Sequence, residues 1–312
     1  MTTPEQPEQP QQPEQEAFAV HVERLVAEGK LTATEAAELL EPAAREPLAA
    51  RQETVSLEKQ AAEQGLNEQA AEAELTDGSV PPDLHLDISG YGLQVVRDVS
   101  LTQPRLSVNH DGALQLRSGA SGWKVSRTDA RGLGPGLKAV LSLPFVPRSV
   151  RAEISGGSLT LPDISGAARI EVSGGSAALG GAAELKAEVS GGNLSAGTVT
   201  GVLQLEVNGG GVSVAHASAL RAEVNGGQLT WAGRLDAGQH ALEVNGGQAT
   251  LRLSENSSVQ IQAESTLGGV SSNFPLQKSG GMMHAQYSGT LGSGAASLKC
   301  RVNAGQIRLV GS

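Results

Sequence analysis

Ala222-Glu223-Val224-Asn225-Gly226-Gly227-Gln228-Leu229-Thr230-Trp231 is one copy of a phrase that this chain writes six times. The copies start at Glu153, Glu171, Glu188, Glu206, Glu223 and Glu243, at spacings of 18, 17, 18, 17 and 20 residues. A period this short and regular marks a stacked array in which each unit touches only its neighbours. On both sides of the glycines apolar residues alternate with polar ones: Leu220, Ala222 and Val224 before, Leu229 and Trp231 after. Each unit therefore predicts two half-buried strands, joined where only glycine tolerates the bend. The corner ladder is Gly156, Gly174, Gly191, Gly209, Gly226 and Gly246. A coil of 17–18 residues at about 3.3 Å per residue has a perimeter of ~60 Å, which suits a narrow parallel β-helix. The expected class is mainly β, a parallel β-solenoid with capping strands behind a small helical segment. Asn-Gly and Gly-Gly between alternating segments are also hairpin signals, so a meander of antiparallel hairpins stands as the rival architecture.

Composition fits a narrow aliphatic core: aromatics are 2% of 312 residues, and 40 residues are glycine. The net charge of −10 is uneven, with 17 acids and 5 bases in residues 1–79 and 16 acids and 18 bases after them. Neither part carries the basic patch that a phosphate backbone requires, which argues against nucleic acid. Cys300 is the only cysteine; no intrachain disulfide can form, and its alternation with Leu298 and Val302 predicts a buried, inert thiol. Met1-Thr2-Thr3-Pro4-Glu5 lacks the basic start and apolar run of a secretory signal. No apolar stretch reaches the ~20 residues of a membrane span. A cytoplasmic location is the default expectation, with surface or envelope association left open.

Along the chain, residues 1–16 read as a disordered acidic tail and 17–47 as a helical hairpin. In the hairpin, Phe18, Val22, Leu25 and Val26 share one helix face, and Thr32 with Glu35 forms a capping box for a second helix. Residues 48–79 read as a helical linker, 80–147 as an N-terminal β cap, and 148–312 as the solenoid repeats with their C-terminal cap. Leu298, Cys300, Val302, Asn303, Ala304, Gly305, Ile307 and Leu309 reproduce the repeat template near the end. A hairpin of about 30 residues is too small to stand alone, so it is expected to dock on a protein partner or to drive self-association.

The glutamate ladder invites a calcium reading, since stacked coils lie about 4.8 Å apart. Two positions earlier, however, stand Arg151, Arg169, Lys186, Gln204 and Arg221, so same-face ion pairing is the stronger expectation. Asn208, Asn225 and Asn245, after Ser155, Ser173 and Ser190, sit where side chains can satisfy bent backbone. Past the glycines, Thr160, Ser195, Ser213, Thr230 and Thr250 form a strip of small hydroxyl residues, with Ala178 in line. The strip is the candidate interaction face for a flat, repetitive target such as glycan, ice or a neighbouring molecule. Against this, small β-branched polar residues simply suit exposed strands. The six histidines are dispersed, there is no phosphate loop, and no nucleophile elbow has a credible His and acid, so no metal, cofactor or catalytic residue is assigned. A carbohydrate-active β-helix enzyme is the remaining catalytic alternative.

Residues 261–275, the stretch Gly289-Thr290-Leu291-Gly292-Ser293-Gly294 and the terminal Asn303-Ala304-Gly305-Gln306-Ile307 resemble the end of the bacterial "putative adhesin" family of β-strand repeat proteins, DUF4097. Leu143-Pro144 ahead of Val150 resembles that family's entry into its repeats, and residues 28–40 are similar to the SHOCT-like hairpin often joined to such domains. The resemblance implies a β-solenoid without known catalytic residues, with relatives in cell-envelope stress responses or at the bacterial surface.

Overall fold

The computed structural model describes residues 13–40, 80–128, 136–281 and 283–311, with side chains from Phe18 onward. The expected linker 48–79, the hairpin's last residues 41–47 and most of the expected tail lie outside the described residues. Helices α1 (Pro13–Ala27) and α2 (Ala33–Leu40) come first. α1 starts inside the segment expected as tail, because a proline has no N–H to lose in a helix's first turn. Between the helices the Thr32 hydroxyl accepts the Glu35 amide at 3.3 Å, and the Glu35 carboxylate accepts the Thr32 amide at 2.8 Å, which is the expected capping box.

The strands follow in chain order. They open with β1 (Asp83–Arg97), β2 (Arg105–Val108), β3 (Leu114–Gly119), β4 (Gly122–Arg127), β5 (Lys138–Leu143), β6 (Ser149–Leu161) and β7 (Ala167–Ala182). The middle of the array is β8 (Glu184–Val189), β9 (Asn193–Val199), β10 (Leu203–Val207), β11 (Gly211–Ala217), β12 (Arg221–Val224), β13 (Gln228–Gly233), β14 (Gln239–Val244) and β15 (Gln248–Leu253). The last are β16 (Val259–Thr266), β17 (Gly269–Ser272), β18 (Gln277–Gly280), β19 (His284–Leu291), β20 (Ala296–Val302) and β21 (Gln306–Gly311).

From β6 to β15 every pairing is parallel, and Glu153 lies beside Glu171, then Glu188, Glu206, Glu223 and Glu243 in unbroken register. The repeats are rungs of a parallel solenoid, which excludes the hairpin meander. In space the rungs run β4/β5, β1, β6, β7, β8/β9, β10/β11, β12/β13, β14/β15, β20/β21, β16/β17.

Both ends depart from chain order. Residues 80–147, expected only as a cap, contain a full rung: β1 runs beside β6 from Asp83 against Ser149 to Gln94 against Thr160. Tyr91 occupies the corner there, against Gly157, so the rung lacks the Gly-Gly signature. At the other end, β20/β21 pairs with β14/β15 on one side and with β16/β17 on the other. Antiparallel strands then close the stack, with β2 on β5, β3 on β4 and β19 on β16. Such strands give a free sheet edge less to template upon.

Inward columns fill the coil. Leu185, Leu203 and Leu220 form one, Val189, Val207 and Val224 another, and Leu194, Val212 and Leu229 a third, all buried. Cys300 belongs to the Leu242 column and is buried, and burial pushes its thiol up to about 12, as an inert core residue requires.

The helical hairpin packs on its own chain. Phe18, Val22, Leu25, Leu31 and Ala36 bury against Val96 of β1 and Val140 of β5. Lys30 reaches the fully buried Asp98 at 2.6 Å, and Lys138 donates to the Glu38 carbonyl. The apolar surface expected to recruit a partner is used in cis. This works because β1 and β5 are covered on both faces: Leu93 and Val95 face the coil while Val96 faces the hairpin. Continuous runs such as Ala139-Val140-Leu141-Ser142-Leu143 are what such strands require.

Candidate interaction faces of the solenoid

One face of the solenoid is charged. Asp87 extends the acidic column to Glu153, Glu171, Glu188, Glu206, Glu223 and Glu243, after which Arg301 and Glu264 follow in register. Ion pairing in the expected manner closes on two rungs, Arg151–Glu153 and Arg169–Glu171, each at 2.9 Å. The first pair is exposed and the second only half-buried at Glu171, a setting where such contacts contribute about 0–1 kcal/mol. Among the described residues Lys186 and Arg221 make no ion pair within 4.0 Å, so the neutralisation expected along the whole ladder is partial.

Where pairing stops, a shallow groove of about 550 Å³ opens between Gln204 and Glu264, with Glu206, Arg221, Glu223 and Glu243 on its surface. Its carboxylates stand in one column on one wall. Among the described residues no group of three or more His, Cys, Asp or Glu side chains is arranged to hold a metal ion.

The corner is built from two ladders. Asn225 donates to Asn208, Asn245 to Asn225 (both 2.8 Å) and Asn303 to Asn245, and Asn208 ends the chain of amides on Glu206 at 3.1 Å. Beside it run the glycines, and the stricter demand falls on the second of each pair. Gly175, Gly192, Gly210 and Gly247 have φ between +79° and +90°, and a Cβ on any of them would lie 2.0–2.3 Å from the carbonyl oxygen of the previous rung's glycine. Of the first glycines chosen from the sequence, Gly156 has φ +149°, whereas Gly174, Gly191, Gly209, Gly226 and Gly246 lie outside the left-handed region.

The second face is uncharged. Thr160, Ala178, Ser195, Ser213, Thr230 and Thr250 stand in one outward column, in register from rung to rung. The neighbouring outward column reads Ser158, Ser176, Asn193, Gly211, Gln228 and Gln248. Arg252 and Arg308 bound this face at the C-terminal end, and the hairpin covers Val96 at the N-terminal end, two residues from the buried Gln94, which is next in the Thr160 column. The alternation in the sequence located the strip; its relation to the hairpin depends on long-range pairing of β1 with β5 and β6.

His240 was not singled out from the sequence beyond its place among scattered histidines. It occupies an inward position between Leu220 and Leu298 and is buried. Its Nδ1 accepts the Leu220 amide at 3.3 Å and its Nε2 donates to the Ala237 carbonyl at 3.0 Å, which fixes the neutral ring. Burial lowers its pKa below 6.5, against the opposing effects of the Ala237 bond and Asp236. The unfolded chain thus binds the proton more readily than the folded one, so His240 favours folding fully above about pH 6.5 and progressively less below it. The urea midpoint of the solenoid is expected to fall from pH 7.5 to pH 5.5, and His240→Gln, which keeps an acceptor without titrating, is expected to flatten the fall.

A model of the Toastrack DUF4097 family matches residues 146–310. No curated protein matches the chain. Among solved structures, a "putative adhesin" from Bacteroides fragilis NCTC 9343 is 11% identical, with 74% of this chain and 92% of that one covered at a TM-score of 0.34. A "putative cell adhesion protein" from Clostridium sporogenes ATCC 15579 is 13% identical, with 75% and 96% covered at a TM-score of 0.23. With more than half its length matched by the family model, and its parallel rungs turning on a glycine corner, the chain belongs to the Toastrack DUF4097 family.

Proposed function

We propose that this chain is a non-catalytic interaction scaffold that docks a partner along its uncharged face, in the cell-envelope or surface setting that the family resemblance implies. The observation that carries the reading is the contrast between the faces. Six rungs present Ser, Thr, Ala, Asn, Gly and Gln in two in-register columns, while the adjoining face carries arginine and glutamate ladders. A partner covering the uncharged face desolvates no ion, whereas covering the other would strip water from charges that are incompletely paired. Small outward side chains also let a partner's backbone approach the sheet closely.

The test is capture from fractionated extract of the producing organism with the chain and two variants. Ser195→Lys/Ser213→Lys/Thr230→Lys is expected to lose the partner at least tenfold, since three buried ammonium groups cost more than the ~1.4 kcal/mol that separates a decade. Glu206→Gln/Glu223→Gln is expected to keep it. Equal retention by both variants would reject the uncharged face, and recovery only in the soluble fraction would reject the envelope setting.

A further inference from the structure

Among the described residues the hairpin–sheet junction is a small apolar cluster of its own, apart from the solenoid core. Its apolar cluster takes five buried residues from the hairpin, Phe18, Val22, Leu25, Leu31 and Ala36, but only Val96 and Val140 from the sheet, and it does not merge with the solenoid core. Around those valines the sheet offers Gln94 and Ser142. Five buried side-chain polar atoms lack a hydrogen-bond partner among the described residues, and three belong to this junction: His21 Nε2, Asp98 Oδ2 and Ser142 Oγ. Interiors meant to stay closed satisfy such groups. Among the described residues the junction instead combines a small apolar contact, the Lys30–Asp98 ion pair, the bond from Lys138 to the Glu38 carbonyl and unsatisfied polar atoms.

We propose that the hairpin is a releasable cover over the N-terminal end of the uncharged face, latched by Lys30 on Asp98 and opened in mild acid when His21 takes a second proton. Asp98 receives Lys30 Nζ at 2.6 Å, the Ser100 amide at 3.0 Å and the Ser100 hydroxyl at 2.6 Å. His21 Nδ1 accepts Arg24 Nη2 at 3.2 Å, so the neutral ring carries its proton on Nε2, in a buried place without an acceptor. A second proton would have to enter at Nδ1, facing the guanidinium. The charges around the ring are Arg24 and Glu28 of α1, Lys30 of the turn, Asp98 beyond β1 and Arg105 of β2.

The two titrations occupy separate windows. For His21, burial, Arg24 and Arg105 lower the pKa from 6.5, and Asp98 and Glu28 oppose them without reversing the direction. The released ring binds a proton more readily than the docked one, so docking is favoured above about pH 6.5 and weakens below it. For Asp98, burial alone would raise the pKa, but the bonds from Lys30 and Ser100 outweigh it and hold the carboxyl at about 2. The latch therefore stays ionised while His21 titrates, and mild acid acts through the histidine. His240 shifts the same way but lies in the β14/β15 rung, away from the hairpin, and acts on the coil.

The experiment uses the full chain with spin labels at Glu23→Cys on α1 and Ser176→Cys on the uncharged face, both exposed, Cys300 being buried. A single short distance is expected at pH 8, with an open population at least fivefold larger at pH 5.5. His21→Gln should remain closed at pH 5.5, Asp98→Asn should stand open at pH 8, and His240→Gln should open as the parent does. An independent readout is the titration of the His21 ring by NMR, whose midpoint should coincide with that of opening. The proposal is overturned if the parent stays closed at pH 5.5, if His21→Gln opens as the parent does, or if the two midpoints differ by more than one pH unit. An intermolecular distance at pH 5.5 that vanishes on dilution would replace release with exchange of hairpins between copies, and would overturn it as well.

Discussion

Gly175→Ala is expected to destabilise the protein by roughly 4 kcal/mol, while Gly174→Ala, one residue earlier, stays within about 1 kcal/mol of the parent. Gly175 has φ +86°, and a Cβ there would lie 2.2 Å from the Gly157 carbonyl oxygen and 2.9 Å from its amide. The left-handed conformation costs an L-residue about 1–2 kcal/mol, and the clash cannot be relieved by a rotamer because the obstacle is the backbone of the previous rung. Relief must come from opening the rung spacing, which stretches the flanking β6–β7 and β7–β9 hydrogen bonds. At Gly174 the nearest atom to a new Cβ is the Ser155 oxygen at 4.0 Å, an ordinary contact. Removing a glycine there also restricts the unfolded chain, which offsets any small loss. Urea unfolding followed by circular dichroism compares the two directly. Equal midpoints for the two variants would mean that the corner does not rest on the second glycine.

Trp231→Ala should cost about 3–5 kcal/mol, the usual range for truncating a large buried side chain. Trp231 is fully buried and heads the largest such side chains in the protein. Its neighbours in the column are Val214 and Leu251, and a narrow coil has no third layer that could collapse into the cavity. Trp231→Leu is expected to lose only about 1–2 kcal/mol, since leucine matches the column and the unpartnered indole N–H disappears with the ring. Thermal unfolding of the two variants reads the difference, and an alanine variant as stable as the leucine one would contradict the packing described for that column.

Local pattern carried the repeat region well, for a physical reason. A solenoid rung meets only its neighbours, so alternation and the glycine corner are nearly all the information that the rung needs. Leu185, Ala187 and Val189 point inward because strand period and burial coincide, and Thr32 with Glu35 caps α2 because that motif is local too. What escaped the sequence reading was non-local. Ser89-Gly90-Tyr91-Gly92 turns a rung corner without a Gly-Gly pair, since Tyr91 fills the place and donates its hydroxyl to the Asp87 carbonyl at 2.6 Å. Leu298 to Gly305 matches the template of any rung, and a template does not say between which neighbours it will lie. The hairpin's destination was unreadable because Val96 and Val140 take their meaning from a helix more than fifty residues away in the chain. On the charged face, spacing identified which side chains share a column, but rotamers decide that Arg169 closes on Glu171 while Lys186 and Glu188 stay apart.

The placement of β20/β21 between β14/β15 and β16/β17 also governs how such an array can come apart. An ordinary stack of rungs can peel from its end, losing one interface at a time. Here the segment Ala296–Gly311 is a keystone, bonded on both flanks, and pulling it away severs two ladders at once. The outer course, β16/β17, is itself buttressed by β19. The keystone's pairings also join residues far apart in the chain, Leu242 with Cys300 among them, and such non-local contacts slow folding. At both ends, then, the rung that comes first or last in the chain lies one course inside the wall's outer edge.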